Sequence, residues 1–506
     1  FFKINKNMKQ KLNDQEIERR KNLEELIKLK INPYPAEEVE INNNSLKIQQ
    51  NFEEGLKVKV AGRIMSKRIM GKASFAQIKD SFGSIQIYVN RDEICESENK
   101  DKYNLFFKKL LDLGDFIWVY GELFKTKVGE KSIKVKDIKI LSKSLKPLPV
   151  VKVDEHGNIH DEFKDTELRY RQRYVDLAVN NTVKKTFITR SRVINCMRDI
   201  FNKSDYLEVE TPILQPIPGG ASARPFKTHH NSLDIPLYLR IANELYLKKL
   251  IVGGYEGVYE FAKDFRNEGM DKSHNPEFTM LEIYVAYKDY NWMMDYTEQV
   301  FKEVVNNILK KDVVQFGEHK LDFKKPFRRI SMTDILKEKT GENILDLDIK
   351  QLEQICKKHK IEVQKGWSEG KMINSLFDVT CEQDIIQPTF ITDYPKIMSP
   401  LCKTHRLNPQ LSERFELFIG GMEIANAYSE LNDPIDQRER FEQQFDLLQK
   451  GDDEAMYIDY DFLNALEYGM PPTAGLGIGI DRVVMLLTDK RTIQDVLFFP
   501  QMKPKK

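Results

Sequence analysis

The sequence predicts an α+β protein in which a small barrel of short strands precedes a larger domain of mixed helices and strands. Between about residues 58 and 141, short runs with alternating apolar residues are separated by turn residues. From about residue 175 onward, long helical patterns alternate with strands, without the regular period of a parallel βαβ sheet. The 506 residues are 41% apolar and 10% aromatic, which excludes a disordered or collagen-like chain.

The N-terminal segment, residues 1–52, is polar and charged and is predicted to contain a surface helix. Its apolar residues recur at helical spacing, and Pro33 and Pro35 end the pattern. The apolar positions are Leu12, Ile17, Leu23, Leu26 and Ile27.

Residues 53–145 are predicted to form a closed five-stranded barrel of the OB type. Alternating runs occur at 57–64, 84–89 and 132–136, with a further strand at 116–121 and a helix at 103–113. Such barrels commonly bind oligonucleotides on exposed aromatic side chains, although the fold alone does not assign that use. Residues 146–174, rich in Lys, Pro, Asp and Arg, are predicted to be a linker.

Charge and cysteine content set limits on the class of protein. Lys plus Arg total 79 and Asp plus Glu total 78, so the net charge of +1 does not argue for or against nucleic acid. No run approaches the roughly 18 apolar residues of a membrane span, so no membrane association is expected. The five cysteines are far apart and form no C-x-x-C pair, which favours reduced thiols in the cytoplasm.

The second domain, residues 175–506, opens with a predicted helix, turn and strand that end at Thr211-Pro212. The proline stops the strand, but many strands end this way, so the segment alone says little about function. The apolar residues on one face of the helix are Val193, Met197, Ile200 and Phe201.

A long hairpin is predicted where two apolar-rich runs flank about nine polar residues. Its strands and loop present Arg266, Glu268, His274 and Phe278. An arginine directed into a cleft is a good phosphate clamp, because its planar group donates two hydrogen bonds and keeps its charge. An aromatic ring such as Phe278 can stack on a base.

A glycine-rich strand, Gly475 to Gly479, continues into a helix with Arg482 near its start. Alternating glycines let a strand approach another backbone or a ligand closely. Asp481 and Arg482 stand where a dinucleotide fingerprint needs its third glycine, and the Lys-Ser/Thr pair of a P-loop is missing.

Glu416 and Glu423 are candidate Mg²⁺ ligands, since Mg²⁺ prefers oxygen donors. They are seven residues apart, so their carboxylates converge only if Gly420 and Gly421 bend or bulge the chain. Residues 331–388 are predicted to be an inserted helical region, to which no chemistry is assigned.

In their order along the chain, the Thr211-Pro212 segment, the hairpin around Arg266 and the glycine-rich strand before Arg482 resemble the three motifs of class II aminoacyl-tRNA synthetases. The family fold implied is an antiparallel catalytic sheet flanked by helices, after an OB-fold anticodon-binding domain. Over about residues 31–503 the chain resembles the bacterial type of lysyl-tRNA synthetase. The further segments that carry this likeness are 68–75, 170–174, 218–221, 228–231 and 428–433.

The resemblance implies ATP-dependent activation of L-lysine to lysyl-adenylate, and transfer of the lysyl group to the 3′-hydroxyl of the terminal adenosine of tRNA(Lys). Arg266 and Arg482 would be catalytic, on the α-phosphate with the lysine carboxylate and on the γ-phosphate respectively. Glu416 and Glu423 would bind Mg²⁺, and Glu416 would also contact ATP. The other implied ATP-binding residues are Glu268, His274, Asn275 and Phe278.

The implied amino-acid pocket can be compared with the chemistry of its substrate. A lysine carries two ammonium groups and one carboxylate, so acidic partners are expected at both ends. The resemblance places Glu244 at the α-amino group, Glu430 with Tyr284 at the ε-ammonium group and Arg266 at the carboxylate. The remaining implied pocket residues are Gly220, Glu282, Asn426 and Tyr428.

On the barrel, the resemblance implies that Arg68, Phe75 and Gln86 read the central uridine of the anticodon. Phe75 would stack on the base while the polar pair bonds its edge. The resemblance also implies a homodimer through the helix and strand that end at Thr211-Pro212. One departure lies in the hairpin loop, where this chain has Lys272-Ser273-His274 and some bacterial members have an arginine directly before the histidine.

Two alternatives stay open. An aspartyl- or asparaginyl-tRNA synthetase would share the motifs, but an aspartate pocket would need Arg or Lys in place of Glu244 and Glu430. A non-enzymatic RNA-binding paralogue would be expected to have lost Arg266, Arg482 or the paired glutamates, all of which are present.

Overall fold

The computed structural model describes residues 12–95, 98–149, 152–153, 159–160, 163–364, 366–450 and 455–504. Parts of the predicted segments 1–52, 53–145, 146–174, 175–506 and 331–388 lie outside these residues. The chain divides into two compact units, and the division falls after Asp165.

The first unit is built around a barrel that closes in the order β1-β2-β3-β5-β4, with β3 and β5 parallel and the other pairs antiparallel. The predicted OB-type barrel is therefore confirmed. The helix expected at 103–113 is a π-helix, Lys102–Leu110. The other elements are α1 (Asp14–Lys28), α2 (Ser45–Gln50), β1 (Lys57–Met70), β2 (Ala73–Lys79), β3 (Ser84–Asn90), α3 (Arg91–Ile94), β4 (Phe116–Lys125), β5 (Lys131–Ser142), β6 (Lys152–Val153) and β7 (Ile159–His160).

Alternating side chains explain why this barrel forms. Along β1, Val58, Val60, Gly62 and Ile64 are buried while the alternate residues are only partly buried, as the two-residue period of a strand requires. Helix α1 starts with a capping box between Asn13 and Glu16, and it places Leu26 in the barrel core.

The second unit contains helices and strands of two to 23 residues arranged around one large sheet. They are α4 (Thr166–Arg171), α5 (Arg173–Val179), α6 (Asn181–Lys203), β8 (Leu207–Glu208), β9 (Leu214–Gln215), β10 (Lys227–His230), β11 (Ile235–Leu239), α7 (Glu244–Val252), β12 (Gly257–Phe265), β13 (Glu277–Ala286), α8 (Tyr290–Leu309), β14 (Val313–Phe316), β15 (His319–Asp322), β16 (Arg328–Ser331), α9 (Met332–Thr340), α10 (Ile349–Lys358), α11 (Glu369–Thr380), β17 (Thr389–Thr392), β18 (Arg414–Phe418), β19 (Glu423–Ser429), α12 (Pro434–Gln449), α13 (Tyr460–Glu467), β20 (Thr473–Gly479) and α14 (Ile480–Leu487). Helix α4 and the start of α5 fall within the predicted linker.

The large sheet has eight strands in the order β16-β17-β18-β19-β20-β13-β12-β8. All neighbours are antiparallel except the pairs β16/β17 and β12/β8. This confirms the predicted sheet flanked by helices. Val193, Met197 and Phe201 of α6 are buried in the same core as α8, α14 and the strands.

Three helices, α9, α10 and α11, lie along the chain between β16 and β17, which are neighbours in the sheet. They have an apolar cluster of their own that includes Leu336, Leu352 and Leu376. Within the described part of the chain, no helix combines the length and apolar character that crossing a bilayer would require.

Candidate active site on the large sheet

The hairpin of β12 and β13 carries Arg266 at the point where β12 ends. Its backbone N–H donates to the carbonyl of Pro276 at 2.9 Å, so the two chains remain paired beyond the strands. The guanidinium lies 5.1 Å from the centre of the Phe278 ring. Its Nε is buried and has no hydrogen-bond acceptor among the described residues. A buried charged donor without a partner is suited to an anion.

The loop of this hairpin is fixed by Asp271, which accepts hydrogen bonds from the backbone of Ser273 at 2.6 Å and of His274 at 2.7 Å. It also accepts one from His274 Nδ1 at 2.8 Å. His274 Nε2 then lies 3.4 Å from Arg482 Nη2. The loop therefore brings His274 to the start of α14, as two predicted phosphate-binding residues require.

Arg482 connects α14 with β19. Its Nη1 donates to the backbone carbonyl of Glu423 at 2.6 Å and contacts the Glu423 carboxylate at 3.1 Å. Its neighbour Asp481 forms an ion pair with Arg190 at 2.5 Å and accepts from the backbone N–H of Thr279 at 2.8 Å. These contacts attach α14 to α6 and β13, so the position of Arg482 is set by three elements.

The two glycines between β18 and β19 bend the chain as the sequence predicted. Gly420 and Gly421 have φ of +65° and +71°, a region that favours glycine. The β18/β19 register also shifts at Leu417 and Phe418, next to the pair Phe418 and Glu423.

Glu416 and Glu423 come from this pair of strands. Arg414 Nη2 contacts a Glu416 carboxylate oxygen at 2.5 Å. Burial raises the pKa of Glu416 to about 7; Arg414 opposes that shift and the charge of Glu423 adds to it. The two carboxylates therefore act on each other electrostatically, and the side chain of Glu423 is 39% exposed.

These carboxylate oxygens are of the type that Mg²⁺ prefers. Among the described residues no three His, Cys, Asp or Glu side chains are grouped as a metal site. The donor set thus fits an ion that takes its remaining oxygen ligands from water and from bound phosphates.

A buried group of charged side chains, at the place of the predicted lysine pocket, lies beside β13 and β19. Glu244 is the first residue of α7, and one helical turn later Lys248 Nζ contacts its carboxylate at 2.5 Å. The same ammonium contacts the carboxylate of Glu430. Glu244, Lys248 and Glu430 are 4%, 0% and 2% exposed. Although burial lowers it, the two carboxylates raise the pKa of Lys248 above its ordinary value.

Gly475 makes room for this pocket. It lies in β20, opposite Tyr284 of β13 and Tyr428 of β19. A Cβ at this position would collide with Glu430 Oε1 and with the Tyr284 ring. Gly220 has φ of +85°, and a Cβ there would lie 3.1 Å from the Cβ of Glu244. The glycine predicted as pocket lining thus sits against Glu244.

A third buried acid, Glu282, lies near these side chains. Tyr284 donates its hydroxyl hydrogen to Glu282 at 2.9 Å. Burial raises the pKa of the Glu282 carboxyl well above its ordinary value, and the charges of Asp264 and Glu244 add to the shift. Burial likewise raises the pKa of Glu430, against the effect of Lys248. One Glu430 oxygen, Oε1, has no hydrogen-bond donor among the described residues.

Four further predicted residues have the following positions and contacts. Asn275 uses its amide to donate to the carbonyl of Glu277 at 2.6 Å. Asn426 accepts from Arg414 at 3.2 Å. Glu268 is exposed, and the ring of Tyr428 lies 5.5 Å from Lys248 Nζ.

Two charged residues of the site were missed by sequence reasoning. Lys248 is four residues after Glu244, the spacing at which helical side chains meet. Arg414 is two residues before Glu416, which places both on one face of a strand. Both spacings are visible in the sequence, but the same spacings are common on exposed surfaces, so only burial shows that these residues belong to the site.

The predicted base-reading residues lie on the first unit. Arg68 and Phe75 are opposite each other in β1 and β2. Gln86 in β3 donates to Ser132 Oγ at 2.8 Å. The Phe75 ring lies 5.2 Å from Tyr88, whose ring is 5.7 Å from Phe124. Sequence reasoning did not include Tyr88, which pairs with Phe75 across β2 and β3, or Phe124, which lies in β4.

Comparison with protein families gives two matches. Residues 165–503 match the family described as tRNA synthetases class II (D, K and N). Residues 58–141 match the OB-fold nucleic acid binding domain. The first match covers more than half of the chain.

Three similar proteins carry the name lysine–tRNA ligase. The one from Christiangramia forsetii is 62% identical over 501 residues, covering 99% of this chain and 88% of that protein. The one from Porphyromonas gingivalis is 58% identical over 500 residues, covering 98% and 86%. The one from Azobacteroides pseudotrichonymphae is 57% identical over 498 residues, covering 98% and 99%.

Proposed function

Because this chain belongs to the class II tRNA synthetases of the D, K and N group, we propose that it is a lysine–tRNA ligase. In the first step a carboxylate oxygen of L-lysine attacks the α-phosphorus of ATP, and pyrophosphate leaves. In the second step the 3′-hydroxyl of the terminal adenosine of tRNA(Lys) attacks the carbonyl carbon of lysyl-adenylate. Its proton is lost and AMP leaves.

The observation that carries the choice of amino acid is the pair of buried acids, Glu244 and Glu430. Both are almost fully buried, and Glu430 Oε1 has no donor. A buried carboxylate oxygen without a donor is costly unless a ligand supplies one, and an ammonium group is the matching donor. The second orphan atom, Nε of Arg266, calls for an anion and so suits the substrate carboxylate and the α-phosphate.

In this proposal the first step needs no covalent enzyme intermediate, so its rate comes from positioning and charge stabilisation. Arg266 holds the carboxylate and the α-phosphate together, and Arg482 with His274 holds the outer phosphates. Phe278 stacks on the adenine, with Glu268 and Asn275 at its edge. Gly220, Glu282, Tyr284, Asn426 and Tyr428 line the lysine pocket.

We assign Mg²⁺ to Glu416 and Glu423, which would hold it at the phosphates. When bound, the ion lowers the negative charge that repels the incoming carboxylate. Replacing either glutamate by Gln is expected to raise the Mg²⁺ concentration needed for half-maximal activity. An unchanged Mg²⁺ requirement in both variants would remove this assignment.

The barrel is proposed to read the anticodon of tRNA(Lys) through Arg68, Phe75 and Gln86. Its support is the aromatic row that Phe75 forms with Tyr88 and Phe124 on the barrel surface. Because aminoacylation supplies protein synthesis, we expect the protein to act in the cytoplasm.

We also propose a homodimer. Its support is a set of exposed apolar side chains after α6, in the predicted interface segment and the small sheet beside it, since such patches commonly mark interfaces. Light scattering after size exclusion would give the mass of a dimer, and a monomer at micromolar concentration would contradict the proposal. The side chains are Leu207, Ile213, Leu214, Leu233 and Ile235, from 39% to 64% exposed.

The deciding experiment is amino-acid-dependent ATP–pyrophosphate exchange, with each of the twenty amino acids, Mg²⁺ and no tRNA. Exchange with lysine alone supports the proposal. Exchange with aspartate or asparagine would keep the family and overturn the lysine pocket. If no amino acid supports exchange, the alternative of a non-enzymatic RNA-binding paralogue would replace the proposed ligase.

A further inference from the structure

Lys248 occupies an unusual place in the molecule. Its side chain is completely buried, and its ammonium group contacts Glu244 and Glu430, the two acids proposed to bind the substrate's ammonium groups. A lysine at the centre of a lysine pocket is unexpected, because it repels the positive charge that the pocket is meant to bind. Its presence therefore requires an explanation.

The explanation lies in the charge of the two buried acids. Two carboxylates that share one buried site cannot both stay ionised without a counter-charge, so they would take up a proton at neutral pH. A protonated carboxyl no longer distinguishes an ammonium group from a neutral group of the same size. Lys248 supplies the missing positive charge from the protein itself, which opposes proton uptake by Glu430.

Lys248 Nζ contacts both carboxylates, so one buried positive charge stands against the two acids. The arrangement also fixes where the carboxylates are, since both are held by one ammonium at the end of a packed side chain. The ring centres of Tyr428 and Phe462 lie 5.5 and 5.7 Å from Lys248 Nζ, and these cation–π contacts stabilise the position of the ammonium group.

We propose that Lys248 is a specificity-determining positioning residue, which favours the ionised form of Glu430 and fixes the spacing of Glu244 and Glu430 so that the pocket selects an amino acid with a charged ε-ammonium group. This inference rests on the proposed lysine–tRNA ligase function and deepens it. Lys248 itself touches no reacting atom and acts through the two glutamates.

Other titratable groups face the same pocket. Burial raises the pKa of the Tyr284 and Tyr428 hydroxyls and, to about 12, of the Cys402 thiol, so none of these three changes charge near neutral pH. Arg414 lies near Cys402. Glu282, with Asp264 and Glu260 beyond it, is present in the wild-type protein and in every variant below, so differences between variants do not come from it.

The test is exchange kinetics with the full chain, wild type and K248M, measured from pH 6.5 to 8.5. The substrates are lysine and 6-hydroxynorleucine, a lysine isostere with a hydroxyl in place of the ε-ammonium group. At pH 7, K248M is expected to raise the KM for lysine at least tenfold with kcat within about threefold, because each unit of pKa shift corresponds to a factor of ten. The preference for lysine over the isostere should fall by a similar factor, and the KM defect should shrink as pH rises.

The matched control is K249M, which removes the neighbouring ammonium on the same helix. Lys249 contacts Asp461 at 2.5 Å and faces neither glutamate of the pocket. K249M should keep the wild-type KM and preference. A K248M protein with wild-type KM, preference and pH profile would overturn the proposal, whereas a wild-type protein without lysine-dependent exchange would overturn the proposed function instead.

K248M leaves buried carboxylates with less compensation, so its folding is followed by thermal unfolding. If it does not fold, the double variant K248M/E430Q is compared with it, because that variant removes a charge from both partners of the ion pair. Recovery of folding in the double variant supports the charge pairing on which the proposal depends. Failure of both variants would make Lys248 a packing residue of α7 and overturn the proposal.

Discussion

The glycines of β20 give a graded test of how the pocket is built. A Cβ on Gly475 would collide with Glu430 Oε1 and lie 2.5 and 2.9 Å from two carbon atoms of the Tyr284 ring. A Cβ on Gly477 would lie 3.2 Å from the terminal methyl group of Met280, a flexible side chain. A Cβ on Gly479 would have its nearest neighbours at 3.8 Å, an ordinary contact distance. The substitution of each glycine by alanine therefore adds the same atom to three different environments.

The size of the effect follows from these distances. Carbon atoms in contact prefer about 3.5–4.0 Å, so Glu430 and Tyr284 would have to move by roughly 1 Å in G475A. Overpacking of this kind costs about 1–3 kcal/mol of folding free energy. If Glu430 then loses the hydrogen bond that it is proposed to accept from the substrate ammonium group, a further ~1.5–3 kcal/mol of binding free energy is lost. This corresponds to a roughly 10- to 150-fold lower kcat/KM for lysine.

The assay combines chemical denaturation with lysine-dependent exchange for all three variants. G475A should show the largest loss in both, G477A a smaller one, and G479A should stay close to the wild type. G479A is the control because it adds a methyl group to the same strand, beside Arg482 but without a clash. If G475A kept a lysine kcat/KM within about threefold of G479A, lysine activation would not depend on the space at Gly475.

Three further predictions concern single side chains. R266A should abolish lysine-dependent exchange while circular dichroism stays unchanged, because it removes the charged donor proposed for the α-phosphate; full exchange would exclude Arg266 from the reaction. F75A should weaken aminoacylation by about 1–3 kcal/mol, the value of one base stacked on an aromatic ring, and leave exchange without tRNA unchanged; an equal loss in both assays would mean that the barrel is not a separate reader. Lys67 donates to the carbonyls of Phe107, Lys108 and Leu111, and burial lowers its pKa from 10.5 to about 8. Since the unfolded chain then holds the extra proton between pH 8 and 10.5, Lys67 makes stability rise with pH in that range, and urea midpoints of K67M should lack this increment relative to the wild type.

Much of the fold could be predicted from local pattern. The alternation at Val58, Val60 and Ile64 and the apolar stripe of Val193, Met197 and Phe201 both record which side faces a core, so the barrel strands and α6 were found. The π-helix at Lys102–Leu110 could not be told from an α-helix, because a single-sequence pattern does not distinguish the two hydrogen-bond spacings. Strand order in the large sheet also has no local signal, since β20 reaches its neighbours β13 and β19 across long stretches of chain.

The candidate site shows the same limit more sharply. Arg266, Arg482 and the pair Glu416 and Glu423 stand in motifs whose residue types indicate phosphate and cation chemistry, and the structure places them on strands β18 and β19, at the end of β12 and on helix α14. Lys248 and Arg414 stand in no motif. On a surface, a lysine four residues after a glutamate is one of many weak ion pairs that stabilise a helix slightly.

Burial changes what such a pair means. At 0% exposure, Lys248 cannot exchange its partners for water, so its charge is set against Glu244 and Glu430 and against whatever enters the pocket. The same spacing that would contribute little on an exposed helix places a buried ammonium group against two buried carboxylates, the groups proposed to bind the substrate. In the proposed function, specificity for an amino acid with two ammonium groups depends on Lys248 as well as on the two acids proposed to contact the substrate. Comparison of K248M with K249M distinguishes a buried charge from a surface ion pair, because the two lysines are adjacent in sequence and differ in burial.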